Sequence, residues 1–68
     1  MADFIELNTF VKLKCFAATG GQAKLLIRSG AVIVNGVVET RNKKKLVADD
    51  IVDIQRKRFV VNGKEIRS

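Results

Sequence analysis

Residues 19–36 have the sequence Thr-Gly-Gly-Gln-Ala-Lys-Leu-Leu-Ile-Arg-Ser-Gly-Ala-Val-Ile-Val-Asn-Gly, which predicts a capped helix followed directly by a tight hairpin. Thr19 and Gln22 have the spacing of a capping box, in which each side chain accepts a hydrogen bond from the other residue's backbone N–H. Apolar residues at helical spacing give this helix one buried face: Ala23, Leu26 and Ile27. Gly30 stands where a left-handed residue commonly ends a helix.

Asn35 and Gly36 separate two β-branched runs, residues 32–34 and 37–38. Both positions tolerate the positive φ of a type I′ turn, so the pair strongly indicates a two-residue hairpin. Further apolar runs predict later strands at residues 51–54 and 59–61. The expected turns around these strands are Asp49-Asp50, the basic run Arg56-Lys57-Arg58, and Asn62-Gly63 as a last hairpin.

Towards the N-terminus, Phe4 and Ile5 predict a short strand, and Asn8 is expected to cap a first helix. The apolar face of this helix extends it to about Cys15 or Ala17. That face consists of Phe10, Val11 and Leu13, with Lys12 and Lys14 beside it. Two short helices followed by several antiparallel strands predict an α+β fold, in which the helices pack on a small sheet.

The chain of 68 residues corresponds to one domain, residues 1–68, with a core expected at about residues 5–61. A chain of this size buries only roughly 60% of its unfolded surface, so a deep substrate pocket is not expected. Thirteen Lys and Arg against seven Asp and Glu give a net charge of +6. This excess favours anionic partners by long-range attraction.

The single cysteine and the lack of a signal pattern in this sequence predict a cytoplasmic protein. Cys15 is the single cysteine of the sequence, so no intramolecular disulfide forms and a reducing compartment is the simpler interpretation. Its place near an apolar helix end predicts a small buried side chain. The N-terminus lacks a basic and then apolar signal pattern, and the apolar runs are too short to span a bilayer, so no membrane association is expected.

The residues from Thr19 to Gly36 resemble the αL RNA-binding motif, the small domain of ribosomal protein S-four. The positions that match its pattern are Thr19, Ala23, Leu26, Ile27, Gly30, Val32, Val34, Asn35 and Gly36. Gly20-Gly21 and Glu39-Thr40-Arg41 are similar to short stand-alone bacterial members, the YbcJ/YaaA type. The chain departs from many members at Gly20 and Glu6, where they carry arginine.

The resemblance implies an α+β fold, the αL RNA-binding motif, and a basic groove for structured RNA, either ribosomal RNA or tRNA. The ribosome is a further expected partner, and the protein is expected to act as a monomer. Phosphate contacts dominate such binding. The expected RNA-binding residues are Lys12, Thr19, Gly20, Gly21, Lys24, Arg28, Arg41, Asn42, Lys43, Lys44 and Lys45. The sequence leaves open whether residues 56–58 join this surface.

The sequence argues against catalysis. It contains no His, so neither an ordinary proton shuttle nor an imidazole metal ligand is present, and one cysteine cannot make a structural zinc site. We therefore expect no enzyme activity, no cofactor and no metal. The four phenylalanines are expected in the core rather than stacked on bases.

Two other functions fit the sequence. Two short helices before a β-hairpin superficially match a winged helix-turn-helix DNA reader, although a third helix is missing and the second helix offers few base-edge readers. A basic loop also suits a protein-interaction module that docks an acidic partner. Competition between duplex DNA and structured RNA distinguishes the first alternative from RNA binding. Ribonuclease treatment of a pull-down distinguishes the second, because a protein partner would survive the digestion.

Overall fold

The computed structural model describes residues 4–66, in which one short strand is followed by two helices and then by five short strands. No helix in this part of the chain is long and apolar enough to cross a membrane. In chain order the elements are β1 (Ile5–Glu6), α1 (Leu7–Leu13), α2 (Gly20–Arg28), β2 (Val32–Val34), β3 (Val37–Val38), β4 (Lys45–Leu46), β5 (Ile51–Ile54), β6 (Lys57–Val60) and a 3₁₀ turn (Gly63–Glu65).

The strands form two antiparallel sheets. The larger sheet has the order β3-β2-β5-β6, and the smaller pairs β1 with β4. In the larger sheet Val32 of β2 lies opposite Ile54 of β5, and Ile54 lies opposite Lys57 of β6. Two helices with small antiparallel sheets confirm the predicted α+β class.

The helix predicted first, α2, forms as expected. The Thr19 hydroxyl accepts a hydrogen bond from the Gln22 amide at 3.2 Å. The Gln22 side chain accepts one from the Ala18 amide at 2.8 Å, one residue before the position that a standard capping box uses. Gly30 has a φ of +85°, which confirms the left-handed helix stop.

The predicted Asn35-Gly36 turn is also present, with φ angles of 52° and 82°. These values fit a type I′ turn, in which both central residues have positive φ. Asn35 also joins the turn to the start of β5, because its side chain accepts from the Ile51 amide at 2.9 Å and donates to Asp50 at 3.1 Å.

Helix α1 begins earlier than predicted. Asn8 is not its N-cap: the helix starts at Leu7, and Glu6 occupies the cap position without a side-chain cap bond. The cause is tertiary, since β1 pairs with β4 and places the chain for the helix directly after Glu6. This start also rotates the buried face, so that Leu7 is fully buried and Leu13, expected in the core, is 56% exposed.

Cys15 is exposed, so the prediction of a buried side chain is wrong. It has a φ of +65° and follows α1 in the left-handed position. The Cys15 amide donates to the Lys12 carbonyl at 3.0 Å, and the Phe16 amide donates to the Val11 carbonyl at 3.2 Å. This pair of bonds is the Schellman motif that ends many helices, and it usually contains glycine where Cys15 stands.

Two predicted turns differ from the structure. The turn between β5 and β6 consists of Gln55 and Arg56, with φ angles of 48° and 70°, so Lys57 and Arg58 belong to β6. Asn62 does not close a hairpin. Its side chain accepts a hydrogen bond from the Lys64 amide at 2.9 Å and begins the 3₁₀ turn, because no strand follows to pair with β6 in the described part of the chain.

The core lies between the helix pair and the sheets. Its fully buried larger side chains are Phe10, Leu7, Ile27, Leu46, Ile54, Val11, Val32, Val52 and Val61. Phe59 meets Phe10 and Phe16 edge to face, with ring centroids 6.2 and 5.7 Å apart. These three phenylalanines therefore pack against one another, as expected from their burial preference. Phe4, which was also expected in the core, is half-buried and lies outside the core cluster.

Candidate nucleic-acid interface

The basic loop, residues 41–45, is held on a fixed backbone. The first two amides of α1, those of Leu7 and Asn8, donate to the carbonyls of Lys44 at 2.8 Å and Asn42 at 3.1 Å. The first amides of a helix have no acceptor within the helix, so these loop carbonyls satisfy them. Within the loop the Lys44 amide donates to the Arg41 carbonyl at 3.3 Å. The loop is thus attached to α1 through backbone N–H and C=O groups that would otherwise lack a hydrogen-bond partner.

The side chains of the basic loop surround an open depression of about 380 Å³. Its lining residues are Arg41, Lys43, Lys44 and Lys45. The Lys45 ammonium lies 4.9 Å from the ring centroid of Phe4, so part of its orientation is set by a cation–π contact. Four cations on a fixed backbone repel one another, and an anion bound in the depression would relieve that repulsion.

Asn42 differs from its neighbours in the basic loop. Its backbone carbonyl accepts the bond from α1, and its side-chain Oδ1 is buried without a hydrogen-bond partner in the part of the chain that the structure describes. An inward-facing oxygen is poorly placed to contact a ligand. The sequence predicts Asn42 as an RNA-binding residue, and the geometry gives it a role in attaching the loop.

Glu39 is a residue of this region that sequence reasoning did not select. Its carboxylate binds the Arg41 guanidinium through two bonds, Nε to Oε2 at 2.9 Å and Nη2 to Oε1 at 3.1 Å. The hydrogen bonds from Arg41 hold the pKa of Glu39 below its usual value, and Glu39 in turn raises the pKa of Arg41. The available signal was the spacing of Glu39 and Arg41, two residues apart directly after a hairpin.

The start of α2 offers backbone donors. Gln22 and Ala23 donate to the side chain and carbonyl of Thr19, which leaves the amides of Gly20 and Gly21 at the open end of the helix. A Cβ at Gly20 would meet nothing within 4 Å, and one at Gly21 only the Thr19 hydroxyl at 3.9 Å. Neither glycine has a positive φ. Packing and backbone conformation therefore do not require glycine at either position.

The remaining predicted cations lie on the helices. Lys24 and Arg28 are exposed on α2, one helical turn apart. Lys12 lines a second open depression, of about 580 Å³, where the end of α1 meets the start of α2. Its other lining residues are Cys15, Phe16, Ala17, Ala18 and Gln22. The structure thus brings Lys12 close to the first turn of α2.

The ends of the larger sheet differ in charge. The Glu39 amide donates to the Val32 carbonyl at 2.9 Å, so the chain that leads to Arg41 leaves the sheet beside the start of β2. Arg28 precedes that same start, just before the reversal at Gly30. The opposite end carries Asp50, bound to Asn35. The basic residues at the first end are Arg28, Arg41, Arg56 and Lys57.

The comparisons with known proteins agree with this architecture. The family model described as "S4 domain" matches residues 1–62. The chain is 44% identical over 48 residues to the Escherichia coli (strain K12) protein named "Putative RNA-binding protein YbcJ". The aligned region covers 71% of this chain and 69% of that protein. The chain is 34% identical over 53 residues to the Bacillus subtilis (strain 168) protein named "Probable ribosome maturation protein RlbA", with 78% and 75% covered. The chain therefore belongs to the S4 domain family.

Proposed function

We propose that this protein is a stand-alone, non-catalytic module that binds structured RNA through its phosphates and acts as a monomer. The observation that carries the proposal is the basic loop, whose four cations surround one depression on a backbone hydrogen-bonded to α1. A fixed array of this kind matches a fixed array of phosphates. The expected ligand is therefore a folded RNA rather than a flexible single strand.

The structure of RNA itself supports recognition by shape. The major groove of an A-form helix is too deep and narrow for side chains to read, so proteins recognise paired RNA mostly through backbone position. Three of the four phenylalanines contact one another in or against the core, where Phe59 meets Phe10 and Phe16. The fourth, Phe4, is half-buried and its ring is covered by the Lys45 ammonium at 4.9 Å. Phosphate contacts by exposed Lys and Arg thus remain the main source of affinity.

We infer that the RNA is ribosomal RNA or tRNA, with the ribosome as the larger partner. The name of the Bacillus subtilis relative refers to ribosome maturation, which favours ribosomal RNA between these two. The protein is then expected to work where RNA is exposed, in the cytoplasm.

DNA reading by α2 has less support. Gln22, a side chain that could read a base edge, accepts the Ala18 amide in the cap of α2. In the described part of the chain, α1 and α2 are the α-helices, so no third helix supports a helix-turn-helix. Direct competition between an RNA hairpin and duplex DNA for the labelled protein tests this alternative.

The salt dependence of RNA binding tests the proposal. If about three to five phosphates are neutralised, a plot of log K against log salt has a slope of roughly −2 to −4. A slope near zero would refute binding through phosphates. A pull-down whose partner survives ribonuclease would instead favour a docked acidic protein.

A further inference from the structure

We propose that Glu39 is a positioning residue for RNA binding: its carboxylate orients the Arg41 guanidinium towards a phosphate and so strengthens binding, although its own charge repels RNA. This inference rests on the proposed function and names a residue that the basic loop, residues 41–45, does not contain. It predicts that removing the Glu39 charge weakens RNA binding, whereas net charge alone predicts tighter binding.

Three hydrogen bonds join the Glu39 carboxylate to Arg41 and restrict the orientation of the guanidinium. Besides the two bonds from the guanidinium, Glu39 Oε2 accepts the Arg41 backbone amide at 3.1 Å. One carboxylate thus holds both the backbone and the side chain of Arg41. Bidentate contacts between arginine and carboxylate also restrict orientation more than a single bond does.

The support is attached to the sheet and shielded, whereas the guanidinium faces solvent. The Glu39 amide bonds to the Val32 carbonyl, which extends the pairing of β2 and β3 by one residue. The Glu39 side chain is 14% exposed and the Arg41 side chain 71%. The carboxylate therefore stands behind the guanidinium as seen from solvent.

Arg41 keeps donors for a ligand. A guanidinium has five N–H groups, and the pair with Glu39 uses one on Nε and one on Nη2. The remaining three include both on Nη1, so the edge between Nη1 and Nη2 can still form a two-point contact with a phosphate. Glu39 leaves the donors that phosphate needs and fixes the plane in which they lie.

The structure contains a matched ion pair for comparison. Arg58 is also 71% exposed, and its Nε donates to Asp53 at 3.0 Å. The register of β5 and β6 places these two residues opposite each other on neighbouring strands of the larger sheet. Replacing Asp53 therefore removes a carboxylate charge beside a different arginine, Arg58, and leaves Arg41 and its partner unchanged.

The test measures affinity for one RNA hairpin at one ionic strength, using Glu39→Gln, Asp53→Asn, Arg41→Ala and the double variant Glu39→Gln/Arg41→Ala. Gln at position 39 can still accept the Arg41 amide but cannot hold the guanidinium as a carboxylate does. Without that support Arg41 must be ordered on binding, so we expect Glu39→Gln to weaken binding roughly threefold to tenfold. Asp53→Asn, with the same gain of positive charge, should leave affinity unchanged or slightly higher.

The double variant decides how Glu39 acts. If Glu39 works through the Arg41 side chain, Glu39→Gln has no further weakening effect once Arg41 is Ala. An equal loss in both backgrounds would show that Glu39 only maintains the loop, and would overturn the inference. Tighter binding by Glu39→Gln, as simple charge removal predicts, would also overturn it.

Two further results separate failure of this inference from failure of the proposed function. Wild-type protein that binds no RNA overturns both, whereas wild-type binding with a tighter Glu39→Gln variant overturns the inference alone. If Glu39→Gln unfolds in a thermal melt, Glu39→Asp takes its place, since it keeps the charge and shortens the reach. Weaker binding by Glu39→Asp supports positioning, and unchanged binding contradicts it.

Discussion

Alanine at Gly20 or Gly21 should raise the stability of the domain and lower its affinity for RNA. Both residues lie in the first turn of α2 with open space around them, so a methyl group costs nothing in packing. Alanine is favoured over glycine within a helix by about 0.8–1 kcal/mol, and less at a helix end, so about 0.5 kcal/mol of stabilisation is expected. In a domain of this size that corresponds to a rise in Tm of about 2–4 °C.

The effect on RNA binding has the opposite sign. If a phosphate approaches the open amides at the start of α2, a Cβ obstructs it and weakens a charge-assisted hydrogen bond worth about 1.5–3 kcal/mol. We expect roughly tenfold weaker binding for each variant, taking the lower part of that range. Thermal melting followed by circular dichroism and titration of a labelled RNA hairpin measure the two effects on the same samples.

Gly63→Ala is the matched control. Gly63 also opens a helical turn, has no neighbour within 4 Å of an added Cβ and has no positive φ. It closely follows Val61, whose amide donates to the Asp50 carbonyl at the end of the larger sheet opposite the basic residues. It should leave RNA affinity unchanged. Equal binding by all three variants and wild type would refute phosphate contact at α2. Lower stability of Gly20→Ala or Gly21→Ala would refute the claim that the fold does not need these glycines.

Three other changes test the site and the fold. Lys24→Glu and Arg41→Glu should each weaken RNA binding about tenfold or more and reduce the salt slope by about 1. Lys24→Glu should leave Tm nearly unchanged, whereas Arg41→Glu should lower Tm because the ion pair with Glu39 is lost. Lys64→Glu is the control, and an equal effect on RNA binding there would show that only net charge matters. (Arg67, another tail cation, lies outside the described residues.) Cys15→Gly should raise stability by about 0.5–1 kcal/mol in urea unfolding, because glycine removes the strain of a left-handed residue; a loss of stability would contradict the Schellman assignment. The lowered pKa of Glu39 means that its ion pair contributes stability above the unfolded pKa, near 4.5, and loses it as the pH falls through the lower folded value. The stability difference between wild type and Glu39→Gln should therefore shrink in acid, and a constant difference would contradict an ionised pair.

The sequence by itself determined the parts of the fold that depend on near neighbours. The Thr19 cap, the stop at Gly30 and the Asn35-Gly36 turn each involve residues no more than a few positions apart. Their geometry follows from side-chain chemistry and allowed φ angles, which do not need the rest of the chain. The basic character of residues 41–45 is likewise visible in the sequence.

Only the tertiary structure decided where the first helix begins and how the basic loop is held. Leu7 replaces Leu13 in the core because β1 pairs with β4, a contact between residues about forty positions apart. The hydrogen bonds from α1 to the basic loop, and the sheet attachment that places Glu39 behind Arg41, arise in the same way. Backbone groups that pair across such distances leave no periodic pattern in the sequence. The spatial arrangement of Glu39, Arg41 and the lysines of the basic loop is therefore known only from the tertiary structure.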